Sequence, residues 1–243
     1  MHYEHIQKGV FISRPNRFIA TVKLGKATVT CHVKNTGRCK ELLLPGTEVL
    51  LQYHPDAKAM GRKTEYSLIG VYKNAPYVPE GRLLINMDSG APNQAAFEWL
   101  SSQSFAKDVR REVTAGNSRF DLAFRQAVSN PSVSKQAYME VKGVTLEKNG
   151  IARFPDAPTL RGLKHVKELT AMAKEGIPCY ILFVIQMKHV SYFEPNMETH
   201  PEFGIALLEA QESGVHILAY DCLVTENSMT IEEPVPVRLH TIE

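Results

Sequence analysis

The apolar positions of this chain fall into two regimes. From Gly9 to about Lys73 they come as short β-rich runs, residues 18–24, 27–33, 47–53 and 64–72, with Gly25-Lys26 reading as a tight turn between the first two. Branched and aromatic residues in runs of this length, separated by turn formers, favour strands. Asn35-Thr36-Gly37 reads as another turn, and residues 39–44 as a short helical piece stopped by Pro45-Gly46. Four or five short strands in so short a span suit a small barrel of the oligonucleotide/oligosaccharide-binding (OB) type, with a small sandwich or an unrelated β-module as alternatives. Asn74, Pro76, Pro79 and Gly81 concentrate turn chemistry, which places a domain boundary after Arg82 and predicts domains 1–82 and 83–243.

From Asn93 the period changes. A helix is predicted over 94–105, then strands over 109–114, 118–124 and 136–146, the first two joined by an Ala115-Gly116-Asn117 turn. Residues 159–174 read as a helix with Thr159 as N-cap and Gly176 just past its end, and Leu163, Val166, Thr170 and Ala173 form its apolar stripe. Residues 177–187 are almost continuously apolar, the mark of a buried parallel strand. A helix over 203–213, stopped by Gly214, and a buried strand over 215–220 follow, and residues 232–238 read as an extended arm. The order α-β-β-β-α-β-α-β predicts an α/β domain around a mixed sheet.

Charge sharpens this division. Residues 1–82 hold 13 Lys and Arg against 6 Asp and Glu, whereas the remainder is net acidic, under an overall charge of only +2. A basic module can hold a polyanion through counterion release, and an acidic one can hold divalent cations. No apolar run is long enough to span a membrane, and the first residues carry no secretory signal pattern, so a cytoplasmic protein is expected. The four cysteines, Cys31, Cys39, Cys179 and Cys222, form no Cys-x-x-Cys pair and read as reduced thiols.

The chemistry concentrates in the second module. Alternate strand residues share a face, so Glu140 and Lys142 project together with Val141 turned inward. Asp121, on the preceding strand, faces away from Phe120, Leu122 and Phe124 and comes within reach of Glu140. An Asp followed after a spacer by Glu-x-Lys is the pattern of PD-(D/E)xK nucleases: two carboxylates hold Mg²⁺, or Mn²⁺ in its place, and the lysine orients water or neutralises developing charge. Phe120 stands where that pattern often has proline. Glu112 is a candidate third metal ligand, and a strand-edge charge paired with Arg110 or Arg111 is its plainer reading. For Glu140 and Lys142 the plainer reading is a surface salt bridge. Residues 154–162 form a proline-fixed loop that holds Asp156 and delivers the Thr159 cap. Arg161, His165 and Glu168 then follow on the helix face opposite the apolar stripe, facing either solvent or phosphate. In the first module the Gly37 turn can cup a phosphate, and Arg14, Arg17, Lys34, Asn35, Arg38, Lys40, Arg62 and Lys63 are candidates for a surface that tracks a nucleic-acid backbone.

Several blocks occur together in order: Phe11-Ile-Ser-Arg-Pro-Asn-Arg-Phe18, His32-Val-Lys-Asn-Thr-Gly-Arg38 with Glu41-Leu-Leu43, Ser118-Arg-Phe-Asp121, Glu140-Val-Lys142, Phe154-Pro-Asp-Ala-Pro-Thr159 and Arg161-Gly-Leu-Lys-His165. In these the chain resembles the sugar fermentation stimulation protein A (SfsA) family from about residue 9 to about residue 220. The resemblance implies an N-terminal OB-like barrel, a C-terminal PD-(D/E)xK nuclease-like domain, largely sequence-nonspecific DNA binding, and a link to the regulation of sugar use, maltose in particular. Lys34 stands where the family often has proline, and Cys39 where a larger apolar residue is usual.

Two main functions follow as expectations: DNA binding without catalysis, and Mg²⁺-dependent hydrolysis of nucleic acid. A sugar sensor on the barrel is a third, weakened because the single tryptophan, Trp99, falls in a predicted helix outside it. DNA against RNA, strandedness and oligomeric state stay open at this stage, a dimer included.

Overall fold

A computed structural model describes residues 1–35, 37–127 and 134–239; Thr36, inside the turn expected at 35–37, lies outside the described residues. Strands β1 (Ile6–Asn16), β2 (Ile19–Leu24), β3 (Ala27–Val33), β4 (Glu48–Tyr53) and β5 (Tyr66–Asn74) run in the order β3-β2-β1-β4-β5, and β5 returns to pair in parallel with β3 through Cys31↔Tyr66 and Val33↔Leu68. That closure makes the expected OB barrel and leaves no free edge between its first and last strands. The inward positions Ala20, Val22, Cys31, Val33, Val49, Leu51, Leu68 and Val71 are fully buried.

Two strands escaped the sequence reading. β1 hides its β pattern among Arg14, Pro15 and Asn16, and irregular register against β2 lets it bend around the barrel. β6 (Arg82–Asn86), read as the start of the next domain, extends the barrel sheet by pairing antiparallel with β5. Residues 39–44 are not a helix: the Leu42 and Leu43 amides donate to the Cys39 carbonyl, and Cys39 takes a φ of 43°, so the segment is one compact turn. The small Cys39 side chain, 2% exposed, fits under that turn.

After α1 (Ala91–Ser102) come β7 (Ala106–Ala115), β8 (Ser118–Ala127), β9 (Ser134–Val144), β10 (Leu146–Lys148), β11 (Ile151–Phe154), α2 (Leu160–Lys174), β12 (Cys179–Ile185), β13 (Tyr192–Pro195), α3 (Pro201–Glu212), β14 (His216–Val224) and β15 (Met229–Pro234). The main sheet has the order β15-β14-β12-β9-β8-β7, with β9, β12 and β14 parallel and the flanking pairs antiparallel, the mixed sheet expected. Every residue of β12 is buried, because it is hydrogen-bonded on both sides and covered on both faces. The tail is less free than an arm: β15 pairs with β14, and the Val235 amide donates to the Ala219 carbonyl. A small sheet, β10-β11-β13, short and without apolar periodicity, was also invisible in the sequence.

The helices follow their signals. Pro92 sits in the first turn of α1. Thr159 Oγ1 accepts from the Gly162 amide at 3.0 Å, and Gly176, with a φ of 81°, ends α2. α1 covers one face of the sheet with Leu122, Phe124, Met139 and Val141 beneath it. α2 and α3 cover the other, and their core runs without interruption into the barrel interior. No helix among the described residues is long and apolar enough to cross a membrane.

Candidate metal and nucleic-acid site

The site begins where two strands part. The β8–β9 ladder pairs Leu122 with Met139 and goes no further, which leaves the Val141 amide of β9 without a backbone partner on β8. Asp121 fills the gap: its Oδ2 accepts from the Val141 amide at 2.8 Å, and its Oδ1 accepts from Asn93 Nδ2 at 2.8 Å. Asn93 was not singled out from the sequence; a polar residue just after Pro92 in the first turn of α1 is its only signal. Burial, and then the charge of Glu140, push the Asp121 carboxyl above its usual range against the pull of Val141, Lys142 and Asn93.

Glu140 is 3% exposed, so the surface salt bridge is excluded as its role. Its Oε1 accepts from Lys142 Nζ and from His165 Nδ1, each at 2.5 Å. Its Oε2 is buried without a hydrogen-bond partner among the described residues. A bare buried carboxylate oxygen is costly unless something satisfies it. Two carboxylates near enough to interact electrostatically, one with an oxygen unpartnered among the described residues, offer the hard donors that a divalent cation takes, with water or substrate oxygens able to complete the shell. The residues therefore fit a cation held by two carboxylates. Among the described residues no group of three or more His, Cys, Asp or Glu is arranged to hold a metal.

Glu112 does not join this pair. Its side chain is 64% exposed, its backbone adopts a φ of 54°, and its carboxylate pairs with Arg119, not with Arg110 or Arg111. The expected α2 face also turns round. His165, 5% exposed, lies on the buried side with Gly162, Val166, Leu169 and Thr170, because a polar imidazole is tolerated there once Glu140 accepts its hydrogen bond. Arg161 stays exposed. Glu168 has Lys164 as its ion partner, at 3.6 Å, and its Oε2 is buried without a partner.

The barrel candidates separate into groups. Arg14 is committed to the fold: its guanidinium donates to the carbonyls of Arg17, Asn35, Gly37 and Arg38. The Gly37 turn does cup an anion, but the anion is internal, since Asp156 Oδ2 accepts from the Arg38 amide at 3.0 Å. The Gly37 amide turns instead to Asn35 Oδ1. Lys34 pairs with buried Asp88 at 2.6 Å, which neutralises it, whereas Arg62 donates to the neutral Ser67 Oγ, which orients its charge without cancelling it. Arg17, Arg38, Lys40 and Lys63 are exposed, the first three around one cavity with Arg14 and the last beside Arg62 in another. A bond network outside every prediction joins the domains: Glu147, on β10, takes Lys73 Nζ at 2.6 Å, Tyr77 at 2.5 Å and the Gly150 amide.

Residues 12–79 match the family described as "SfsA N-terminal OB domain", and residues 90–228 that described as "Sugar fermentation stimulation protein RE domain". A sugar fermentation stimulation protein homolog of Clostridium beijerinckii is 50% identical over 98% of this chain and 100% of its own, and one of Desulfitobacterium hafniense is 48% identical over 98% and 99%. The solved structure of Pyrococcus furiosus SfsA in complex with Ca²⁺ is similar with a TM-score of 0.82 and 25% identity, covering 98% of each chain. With both domains matched in order and near full-length relatives at this identity, the chain belongs to the sugar fermentation stimulation protein (SfsA) family.

Proposed function

We propose that this protein binds DNA through its barrel and hydrolyses phosphodiester bonds at Asp121 and Glu140 with a divalent cation, Mg²⁺ or in its place Mn²⁺. The observation that carries the reading is the divided Glu140 carboxylate: one oxygen fixed by Lys142 and His165, the other buried and without a hydrogen-bond partner among the described residues. A pure binder has no use for such an arrangement. The Asp121 carboxyl, raised by burial and then by the charge of Glu140, adds support, because a bound cation would offset both. The Ca²⁺ held by the Pyrococcus furiosus relative is in keeping with a divalent cation here.

A cation at this pair would polarise the scissile phosphate and lower the pKa of an attacking water. The chain's own residues do the rest. His165 and Lys142 hold Glu140 in one rotamer, so its free oxygen points consistently. Asn93 and the Val141 amide fix Asp121. Lys142, 14% exposed and paired with Glu140, would offer its ammonium group to the charge that develops on a phosphate bound there.

The test is incubation of the full chain with plasmid and with single-stranded DNA, in Mg²⁺, Mn²⁺ or EDTA, beside Glu140→Ala. Metal-dependent cutting that the variant lacks is the expected result. DNA retarded but uncut in every condition would sink hydrolysis and leave the second reading, binding without cleavage. The basic barrel favours that second reading, as does the finding that no group of three or more His, Cys, Asp or Glu among the described residues is arranged to hold a metal. In either case the sugar-related role in the family's name would follow from DNA occupancy or processing.

A further inference from the structure

A cavity of about 550 Å³ opens on the barrel beside the loop that leads into α2, within the size range of small-ligand sites. Its floor is apolar, from Cys39, Leu43 and Ala157, and its walls carry Arg14, Arg17, Arg38 and Lys40. No carboxylate lines it. Four other surface cavities each include at least one: Glu80, Asp156, Glu4 with Glu226, or Glu65. Arg14 sharpens the imbalance. Its guanidinium is surrounded by four neutral carbonyls, it has no ion pair among the described residues, and its buried Nε is unpartnered. Carbonyls orient that charge without cancelling it.

We infer that this cavity takes one unstacked nucleotide of a single-stranded nucleic acid, its base on the apolar floor and its phosphate among Arg17, Arg38 and Lys40. The inference deepens the nucleic-acid reading above and rests on it. An amphipathic site with an apolar floor and a cationic rim matches a ligand whose flat apolar face adjoins an anion. A base paired inside a duplex cannot enter a concavity of this size, so the partner is a single strand. Phe18, 44% exposed with the Arg17 guanidinium 4.8 Å from its ring centroid, offers a stacking surface for the neighbouring base. The walls are already in place: Arg14 ties four carbonyls of the surrounding loops, and Asp156 holds the Arg38 amide. Two residues beyond Ala157 the chain reaches the N-cap of α2, the helix that presents Arg161 and then His165 against Glu140. A strand seated in the cavity thus has a route along the start of α2 toward the carboxylates.

The test is equilibrium binding of a fluorescent oligothymidylate and of a matched duplex to the full chain in EDTA, by anisotropy across a salt series. The wild type is compared with Arg17→Ala/Arg38→Ala/Lys40→Ala, with the cavity-filling Ala157→Phe, and with Lys23→Ala/Lys26→Ala, which removes exposed charge on the β2–β3 hairpin. Thermal midpoints report folding. The wild type is expected to prefer the single strand, and the triple variant to bind it about ten-fold or more weakly, with a log–log salt slope shallower by about 2. Ala157→Phe should weaken binding with all charges intact, and the hairpin variant should stay close to wild type. Equal affinity for duplex and single strand, or wild-type affinity in either a folded triple variant or a folded Ala157→Phe, would overturn the inference. Cutting that needs Glu140 alongside an unaffected triple variant would remove the cavity's role and leave hydrolysis standing. Binding that depends on the cavity without any cutting would do the reverse.

Discussion

Gly37 lies directly against Asp156: a methyl group on Gly37 would meet Asp156 Oδ2 at 2.2 Å, while that oxygen accepts from the Arg38 amide at 3.0 Å. The glycine is needed here for close approach, not for a left-handed backbone, and the contact fastens the barrel to the loop before α2. Gly37→Ala is expected to cost about 1–3 kcal/mol by overpacking. In an Asp156→Ala background the same change should cost clearly less. A double-mutant cycle from denaturant midpoints checks this, and additive costs would refute the contact.

Divalent cations should raise the melting temperature of the wild type and not of Glu140→Gln. At a cation concentration about a hundred-fold above Kd the gain is about 2.7 kcal/mol, which for a chain of this size corresponds to roughly 5–10 °C. Calorimetric scans in EDTA and in Ca²⁺ or Mn²⁺ would read it. An equal shift in both proteins would place the cation elsewhere.

His165→Ala removes one of the two donors that fix Glu140. Loss of an outer partner of a metal ligand usually lowers affinity by about 10–100-fold, and that range is expected for Ca²⁺ titrated into the variant. His165→Asn, which keeps an N–H, should recover part of the loss. A variant that binds Ca²⁺ as the wild type does would show that His165 only fills space.

Glu112→Ala should leave both cation affinity and any cutting within about two-fold of wild type, since the exposed carboxylate is paired with Arg119. A loss as deep as that of Asp121→Ala, measured side by side, would restore Glu112 to the site.

Glu147 gives the domain junction a pH dependence. Burial raises its carboxyl, but hydrogen bonds from Lys73, Tyr77 and the Gly150 amide outweigh it, and the folded-state value lies below 4.5. A depressed carboxyl contributes stability above its unfolded value, and that contribution disappears as pH falls through the folded value. Stability should therefore decline as pH drops below about 4.5, and less steeply in Glu147→Gln. Denaturant midpoints across acid pH would show it, and parallel curves would rule Glu147 out as the cause.

The sequence by itself determined the elements whose signals are local. Thr159 and Gly176 bracket α2 because capping acts over a few residues, the apolar run through β12 declared a strand buried on both sides, and Glu140 and Lys142 shared a face by strand geometry alone. Tertiary structure decided everything that depends on distant partners. β6 became a barrel strand only because β5 offered an edge. His165 turned inward because Glu140, 25 residues earlier, could accept its hydrogen bond. Glu112 fell out of the site because Arg119 lay within reach of its carboxylate. Lys34 looked like a free cation in the sequence and Asp88 claimed it, while neutral acceptors fixed the direction of Arg14 and Arg62. Local propensity is written into neighbouring residues. Which polar group satisfies which is settled only when the chain closes, since each buried donor or acceptor takes whatever partner the packed structure brings within reach.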